Sequence, residues 1–216
     1  MSKFKNFLHT YKPALTVTLV LMLICGLGFP LLLTGLSQLF FPHQANGSLI
    51  EVNGQAVGAE FVGQEFSQPY FMTGRPSAVH YNTYTVDAEG NEVYLDGSEF
   101  GGLSSGSNNY APTNPALQER VQADMEAFLA SHPELKAEDI PTDLLTASGS
   151  GLDPHLSLAS AEIQLSAISE ASGLSMDELH EIVEANTSGK LLGIFGEEVV
   201  NVLGVNLGIA EAMGLI

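Results

Sequence analysis

A glycine- and serine-rich stretch is the first place where this sequence could carry enzymatic chemistry. Residues 102–106 read Gly-Leu-Ser-Ser-Gly and match the G-x-S-x-G pattern around the nucleophilic serine of many hydrolases. That pattern works because a strained turn between a strand and a helix exposes the serine beside an oxyanion hole. Here residues 108–112 follow, and their two asparagines and proline do not favour a helix. We therefore predict a loop at this point and no catalytic serine.

A second stretch of this kind, residues 148–155, lies immediately before a predicted helix. A Gly/Ser turn at a helix N-terminus can bind an anion through its backbone N–H groups. It can also simply shape the start of the helix, with Ser157 as the N-cap, and we favour this structural role. Gln164 falls inside the same predicted helix. It is either a polar residue at the flank of the apolar stripe or an amide that contacts a ligand or partner.

The sequence lacks the other common signatures of nucleotide or metal chemistry. A Walker A motif is absent, because Leu191 follows Gly189-Lys190 and Glu184 stands where the first glycine belongs. The Asp-Lys-Thr-Gly-Thr phosphorylation motif of P-type ATPases is also missing. None of the six histidines pairs with another at i+3 or i+4, and the chain has one cysteine. We therefore assign no catalytic residue and no metal site.

Charge divides the chain into unequal parts. Its 216 residues contain 7 Lys+Arg and 25 Asp+Glu, for a formal net charge of −18. Three lysines in residues 1–12 give a head of charge +3, whereas all 25 acids and only four bases follow residue 50, which gives −21. A surface of that sign repels phosphate, so the composition excludes a nucleic-acid partner.

An uncharged apolar stretch separates these two parts. Residues 14–50 contain no charged side chain, and about 20 apolar residues suffice to cross a bilayer. We predict a transmembrane helix over residues 13–41, with Pro30 expected to kink or end it. The alternative is a secretory signal peptide, but its apolar region should be about 7–15 residues and should end at a small-residue cleavage site. The basic head places residues 1–12 in the cytoplasm, and residues 42–216 are then extracytoplasmic.

The outer part is predicted to be a single α+β domain. Two hairpins are expected, at residues 48–58 around Asn53-Gly54 and at residues 83–95, followed by a loop over 96–114. Helices are expected after Asn114, near Ser157 with Gly173 as its stop, and after Ser175. The apolar tail, residues 191–216, is either a buried helix or strand or a surface that meets a membrane partner. The fold class is thus one N-terminal transmembrane helix followed by a single soluble α+β domain.

Short segments in a fixed order along the chain carry a family resemblance. They are Phe41–Ile50, Gly63-Gln64, Tyr70-Phe71, Gly74–Ala78, Ser105–Asn108, Pro112–Pro115, Thr146–Pro154, Val200–Leu203 and Asn206-Leu207. In this order they resemble the C subunit of the Kdp potassium-transporting ATPase, over nearly the whole chain. Each segment alone is a weak signal, and the ordered set is specific.

The resemblance implies a single-span accessory subunit of a bacterial inner-membrane complex for high-affinity potassium uptake. In that family a channel-like subunit carries potassium, a P-type ATPase subunit hydrolyses ATP, and a very small single-span subunit stabilises the assembly. The C subunit is needed for assembly and activity. It is also described as a catalytic chaperone that raises the ATP affinity of the ATPase subunit.

The resemblance also implies roles for individual residues. Gln164 matches the glutamine proposed to contact nucleotide. The other matched positions are candidates for family motifs or interfaces: Gln44, Asn46, Gly47, Arg75, Pro76, Ser77, Gly151, Leu152, Asp153, Pro154, Asn201 and Asn206. No cofactor is expected on the chain itself, and ATP is expected only through the ATPase subunit.

Topology conflicts with a direct role of Gln164 in ATP binding. If the head is cytoplasmic and the chain crosses the membrane once, Gln164 lies outside, away from ATP. The consistent role is an external domain docked on the potassium-conducting subunit, which stabilises the complex. Direct nucleotide contact is the alternative, and a membrane-anchored exported binding module is a more distant one.

Two departures from the family pattern stand out. Residues 83–103 look like an insertion between the segment ending at Ala78 and the Ser/Gly/Asn loop. Ala167 stands where the family usually has an arginine after the glutamine, which weakens any ligand site on this helix.

Overall fold

A computed structural model of the chain describes residues 2–216, and its side chains from Thr10 onward. Its contacts divide it into two units, one that ends at Leu49 and one that comprises Ile50–Ile216. Mixed helices and short strands follow a long apolar N-terminal helix, so the predicted α+β fold class is confirmed.

The first unit is almost wholly helical. It comprises α1 (Ser2–Leu23), a π-helical turn (Ile24–Gly28), α2 (Phe29–Phe40) and the single turn α3 (Pro42–Ala45). The segment Thr10–Phe40 has 31 residues and a mean hydropathy of 2.4, which is long and apolar enough to cross a membrane. A signal sequence near an N-terminus meets the same criterion.

Pro30 does not end this helix, because the π-helical turn accommodates it. Proline has no N–H to donate, and its ring clashes with the carbonyl four residues back. Just before it, the N–H of Phe29 donates to the carbonyl of Ile24, five residues back, so the helix widens. The expectation that Pro30 could end the helix is therefore wrong, and α2 continues to Phe40.

Both predicted hairpins are confirmed. The first pairs β1 (Leu49–Val52) with β2 (Gln55–Ala59). Asn53 and Gly54 join the strands with φ of +51° and +77°, as a primed turn requires.

The second hairpin pairs β3 (Tyr84–Val86) with β4 (Glu92–Tyr94) in antiparallel register, Tyr84 opposite Tyr94. Phe100 returns over it, stacked on Tyr84 with ring centroids 4.3 Å apart and edge-on to Tyr94. Aromatic contacts therefore hold this small hairpin, which contains most of the predicted insertion, together.

Two of the three predicted helices are confirmed as drawn. Helix α4 (Pro115–Ser131) begins after Asn114, whose side chain accepts the N–H of Ala116 at 3.0 Å. Helix α7 (Met176–Ala185) begins after Ser175, which forms a capping box with Glu178.

The predicted helix near Ser157 is instead two short helices. They are α5 (Leu158–Glu162) and α6 (Leu165–Ser172), and α6 ends at Gly173 with φ of +77°. The break at Ile163-Gln164 does not interrupt the apolar stripe of the predicted helix. The sequence pattern therefore does not indicate the break.

The C-terminal part contains a three-stranded antiparallel sheet that the sequence pattern did not indicate. Its order is β5 (His155-Leu156), β7 (Val199–Asn201) and β6 (Thr187-Ser188), and helix α8 (Val202–Ala212) follows β7 directly. Strands of two or three residues are too short to show an alternating pattern. The apolar tail is accordingly divided: most apolar side chains of β7 and α8 are buried, whereas residues 191–198 and 214–216 are exposed.

The hydrophobic core lies among α5–α8, β5 and β7. The fully buried large side chains are Met72, Leu156, Leu165, Leu179, Ile209, Val183, Val200 and Val205. Met72 comes from the irregular segment after β2, so this segment is tied to the helical part by its core side chain.

Candidate functional site

Four of the candidate residues in the second unit, Arg75, Ser77, Gly151 and Asp153, lie in one cluster. Arg75 lies at its centre, and its Nη1 contacts a carboxylate oxygen of Asp153 at 3.2 Å. Its Nε and Nη2 both donate to the carbonyl of Thr146 at 3.3 Å. Segments about 75 residues apart in the sequence are therefore held together by one guanidinium group.

Ser77 extends the cluster through its hydroxyl group. The hydroxyl donates to the carbonyl of Gly151 at 2.6 Å and accepts the N–H groups of Val79 and Tyr81 at 3.1 and 3.0 Å. Gly151 has φ of +67° and is buried, and its N–H donates to the hydroxyl of Ser148 at 2.9 Å. The Gly/Ser turn is thus held from both sides, as the structural interpretation of this stretch requires.

The rest of this segment connects the cluster to neighbouring elements. The carbonyl of Leu152 accepts the N–H of Gly63 at 2.9 Å, and the carbonyl of Pro154 accepts the N–H of Val202 at 3.0 Å. Pro76 contributes to the walls of two clefts beside the cluster.

Three consecutive residues next to the cluster have left-handed backbone. His80, Tyr81 and Asn82 have φ of +46°, +51° and +53°. Such conformations cost roughly 1–3 kcal/mol for each non-glycine residue and persist only when the surroundings fix them. Here Asn82 exchanges two hydrogen bonds with the backbone of Ser104, at 2.9 and 3.0 Å, and His80 packs on Tyr94.

Tyr81 fixes the turn from the inside. Its hydroxyl donates to the carbonyl of Arg75 at 2.8 Å. A β-carbon at Gly63 would come within 3 Å of the Tyr81 ring, and one at Gly74 would come within 3 Å of its hydroxyl oxygen. Burial, and after it the Asp153 carboxylate, raises the pKa of Tyr81 to about 12, so the hydroxyl stays protonated as a donor at physiological pH.

Asp153 is the charged partner that balances Arg75. Its interaction with the side chain of His155, together with the His155 N–H and the Arg75 guanidinium, lowers the pKa of this carboxyl group despite opposing burial. The carboxylate form is therefore favoured at neutral pH, and the ion pair with Arg75 is maintained.

A second arginine, Arg120, holds the backbone carbonyl next to the one that Arg75 holds. Arg120 of α4 pairs with Asp124 one turn later and donates to the carbonyl of Leu145 at 3.2 Å. The carbonyls of Leu145 and Thr146 are thus each held by an arginine. Two of the four basic side chains of residues 51–216, Arg75 and Arg120, therefore fix this loop.

Two clefts of about 440 and 510 Å³ flank the left-handed turn and share Pro76, Ser77, His80 and Asp124 as lining. Across the described residues, no group of three or more His, Cys, Asp or Glu is placed to hold a metal ion.

The G-x-S-x-G stretch also lies near here, in a loop as predicted, and Ser105 donates to the carbonyl of Ser150 at 3.0 Å.

Gln164 lies at the break between α5 and α6 and is buried, with 2% of its surface exposed. Its Oε1 accepts the N–H and the hydroxyl of Thr73, both at 2.9 Å. Its Nε2 donates to the carbonyls of Ser160 at 2.9 Å and Thr73 at 3.3 Å. The interpretation as a flank polar residue is therefore wrong, and the amide has two partners on each of its polar atoms.

Asn206 holds Met72, the residue before Thr73, through hydrogen bonds of the same kind. From α8, its Oδ1 accepts the N–H of Met72 at 2.7 Å and its Nδ2 donates to the Met72 carbonyl at 2.9 Å. Asn206 is buried, with 2% exposed. We call Gln164 and Asn206 the amide clamps, because together they hold the backbone of residues 72 and 73.

Asn201 serves as a cap and as a tie. Its Oδ1 accepts the N–H of Gly204 at the start of α8, and its Nδ2 donates to the carbonyl of Glu60 at 2.7 Å. Like Asn206, it connects the C-terminal helix to the irregular segment that follows β2.

The candidates Gln44, Asn46 and Gly47 belong to the first unit. The amide of Asn46 exchanges hydrogen bonds with that of Gln38 at 3.1 and 3.3 Å and donates to the carbonyl of Pro42. Gln44 belongs to α3, and Gly47 has φ of +89°, which ends this turn. These residues form a cap below the apolar helix.

Several members of the hydrogen-bond network carry no signal in the sequence. Asp143 accepts from the N–H of Ser157 at 2.8 Å and from the hydroxyls of Ser157 and Ser160. Burial raises its pKa, but these hydrogen bonds outweigh burial and lower the pKa overall. The N-cap serine, Ser157, was recognisable in the sequence, but no local pattern marks an aspartate 14 residues earlier as its partner. Likewise, no local pattern marks Thr73 or Tyr81 as members of the network.

Comparison with known proteins decides the family. The family model described as K+-transporting ATPase, c chain (KdpC) matches residues 11–211. The chain belongs to the KdpC family. It is 56% identical over 210 residues to the potassium-transporting ATPase KdpC subunit of Clostridium kluyveri, which covers 97% of each chain.

Further relatives extend the same match across the KdpC family. The KdpC subunit of Clostridioides difficile is 56% identical over 214 residues, covering 97% of this chain and 100% of that protein. The KdpC subunit of Methylococcus capsulatus is 42% identical over 200 residues, covering 93% and 96%. The resemblance drawn from the ordered motifs is thus confirmed, and the chain is a subunit of a Kdp K+-transporting ATPase.

Proposed function

We propose that the chain is a non-catalytic accessory subunit of an ATP-driven potassium uptake complex, needed for its assembly and stability. The supporting observation is that the polar side chains of the motif residues form their hydrogen bonds within residues 50–216. Within the described part of the chain, every buried side-chain nitrogen and oxygen has a hydrogen-bond partner. A domain built in this way is a rigid body suited to docking on other subunits.

We infer the partners from the family resemblance. They are the potassium-conducting channel-like subunit, the P-type ATPase subunit and a small single-span subunit, together with membrane lipid. The relatives' shared name, potassium-transporting ATPase KdpC subunit, supports membership of such a complex. We place the outer domain on the potassium-conducting subunit, where it stabilises the complex.

The location proposed is the bacterial inner membrane, crossed once. Residues 1–12 are cytoplasmic because of their three lysines, residues 13–41 span the membrane, and residues 42–216 form the extracytoplasmic domain. The stretch Thr10–Phe40 supplies the length and hydropathy for that span.

Direct nucleotide binding through Gln164 is the alternative. The four hydrogen bonds of its amide argue against it, because a nucleotide could contact this amide only after bonds to Thr73 or Ser160 break. If the chain raises the ATP affinity of the ATPase subunit as a catalytic chaperone, that effect passes through subunit contacts.

Co-expression with the three presumed partners tests the assembly role. We expect that omission of this chain abolishes recovery of an intact complex in mild detergent and with it potassium-stimulated ATP hydrolysis, because subunit contacts are lost. The measurements are co-purification with a tagged ATPase subunit and ATPase activity. An equally stable and active complex without the chain would contradict the proposal, and a chain recovered only as a lone monomer would favour an independent binding module.

Cysteine labelling tests the orientation. Ser166 is exposed and lies two residues from Gln164, so Ser166→Cys in a Cys25→Ala background is expected to react with a membrane-impermeant maleimide in spheroplasts. Ser2→Cys in the same background is the control and should react only after permeabilisation. Labelling of Ser166→Cys only after lysis would reverse the orientation and restore direct contact with ATP.

A further inference from the structure

An exposed apolar turn projects from the C-terminal sheet. Leu191, Leu192, Ile194 and Phe195 are 70%, 81%, 75% and 62% exposed. They are adjacent in sequence, interrupted only by Gly193, so they form a continuous apolar surface. We call residues 191–195 the apolar knob.

The knob is a defined hairpin tip. Leu191 and Phe195 exchange backbone hydrogen bonds at 2.8 and 3.0 Å, and the N–H of Ile194 also donates to the carbonyl of Leu191. Leu192 and Gly193 take φ of +55° and +73°, as tight hairpin turns require. Asparagine or glycine is the usual residue for the position of Leu192, so a leucine there has a backbone cost that its own packing does not offset.

The base of the knob is fixed in the core. Strands β6 and β7 pair directly beneath it, with Ser188 opposite Val199 and Thr187 opposite Val200. Val200 is fully buried, and β7 continues into α8. The knob is therefore held out from a rigid base, the arrangement expected of a preformed binding element.

The charges around the knob discriminate among its possible occupants. Lys190 precedes it, and the exposed Glu197 and Glu198 follow it, on an outer domain of charge −21. Membrane-inserting segments usually carry basic residues beside their apolar face, because they approach anionic lipid headgroups. A second copy of this chain would bring like charges together. Both occupants are therefore disfavoured.

We propose that the apolar knob inserts into an apolar socket rimmed by basic side chains on a membrane-embedded partner subunit of the same complex. A socket of this kind buries the four apolar side chains and places positive charge opposite Glu197 and Glu198. The proposal rests on the assembly function above and names the surface that performs it.

Site-specific photocrosslinking in the assembled complex tests the occupant. A benzophenone amino acid replaces Leu192 in the full chain, co-expressed with the presumed partners, and Leu103 is the control site, because it is 82% exposed in a separate loop. We expect at least tenfold more crosslink to a partner subunit from position 192 than from position 103. A crosslink to lipid, a crosslink to a second copy, or equal yields from both positions would overturn the proposal.

Charge substitution tests the contribution to binding. Leu192→Asp together with Ile194→Asp is expected to reduce recovery of partner subunits at least tenfold, whereas Leu103→Asp leaves it unchanged. Glu197→Lys with Glu198→Lys is expected to reduce recovery and to weaken its salt dependence. If the chain is needed for assembly but the Asp variants assemble normally, only the knob proposal fails; if the chain is not needed at all, the assembly function fails as well.

Discussion

Asn206→Leu is expected to lower the free energy of unfolding of the full chain by about 3 kcal/mol. Leucine has the same branched heavy-atom skeleton as asparagine but no polar side-chain atom. The substitution therefore leaves the N–H and the carbonyl of Met72 without their partners, in a place where Met72 is fully buried and water does not reach. A buried backbone group left unpaired costs about 1–3 kcal/mol, and here two are left.

Urea denaturation of the full chain in mild detergent, followed by circular dichroism, measures this loss. Gln118→Leu is the matched control, because Gln118 lies on the exposed face of α4 and the same chemical change there should stay within about 0.5 kcal/mol. A loss no greater than that of the control would mean that Met72 finds other partners and that the amide clamp is not a stabilising contact.

Gly151→Ala is expected to cost about 3 kcal/mol of folding stability through two effects. The φ of +67° at Gly151 disfavours any residue with a β-carbon. In addition, that β-carbon would lie 2.7 Å from the carbonyl oxygen of Gly106 and 2.8 Å from a methyl group of Val79. A backbone oxygen cannot move aside as a flexible side chain can, so the Gly/Ser turn must shift and loosen the hydrogen bond from Ser77.

Gly149→Ala provides the matched control two residues away. A β-carbon at Gly149 would meet no described heavy atom within 4 Å, and the residue does not have left-handed backbone. We expect this variant to be neutral or slightly more stable, because alanine restricts the unfolded chain. Thermal unfolding of the Gly151→Ala and Gly149→Ala variants in parallel measures this difference in stability. Equal melting temperatures would show that position 151 tolerates a side chain and that its glycine is not a structural requirement.

Local signals in the sequence predicted the elements that depend on neighbouring residues. The hairpin turn at Asn53-Gly54, the N-cap at Asn114 and the capping box at Ser175 each act over two to four residues, and each is confirmed. The three-stranded sheet and the break at Gln164 depend on contacts between distant segments. Such contacts leave no periodic pattern, because strands as short as β5 and β6 are stabilised by pairing and not by their own composition.

The sequence predicted which residues belong to the site, but not how their side chains are buried and hydrogen-bonded. Motif matching gave Arg75, Ser77, Gly151 and Asp153, which the structure brings into one cluster. It offered no sign that Gln164 would be buried, since a glutamine beside an apolar stripe is usually exposed. The partners of such a side chain, here the backbone of Thr73, are 91 residues away in the sequence.

The π-helical turn at Ile24–Gly28 changes which faces the apolar helix would present in the membrane span proposed for it. A π turn accommodates one extra residue, and one residue of an α-helix corresponds to a rotation of about 100°. Side chains seven residues apart line one face of the helix before Ile24. Because of the extra residue, side chains that continue this seven-residue spacing after Phe29 lie on a different face. A neighbouring transmembrane helix that packs along the whole of Thr10–Phe40 must accommodate two stripes that are out of phase, one on each side of this turn.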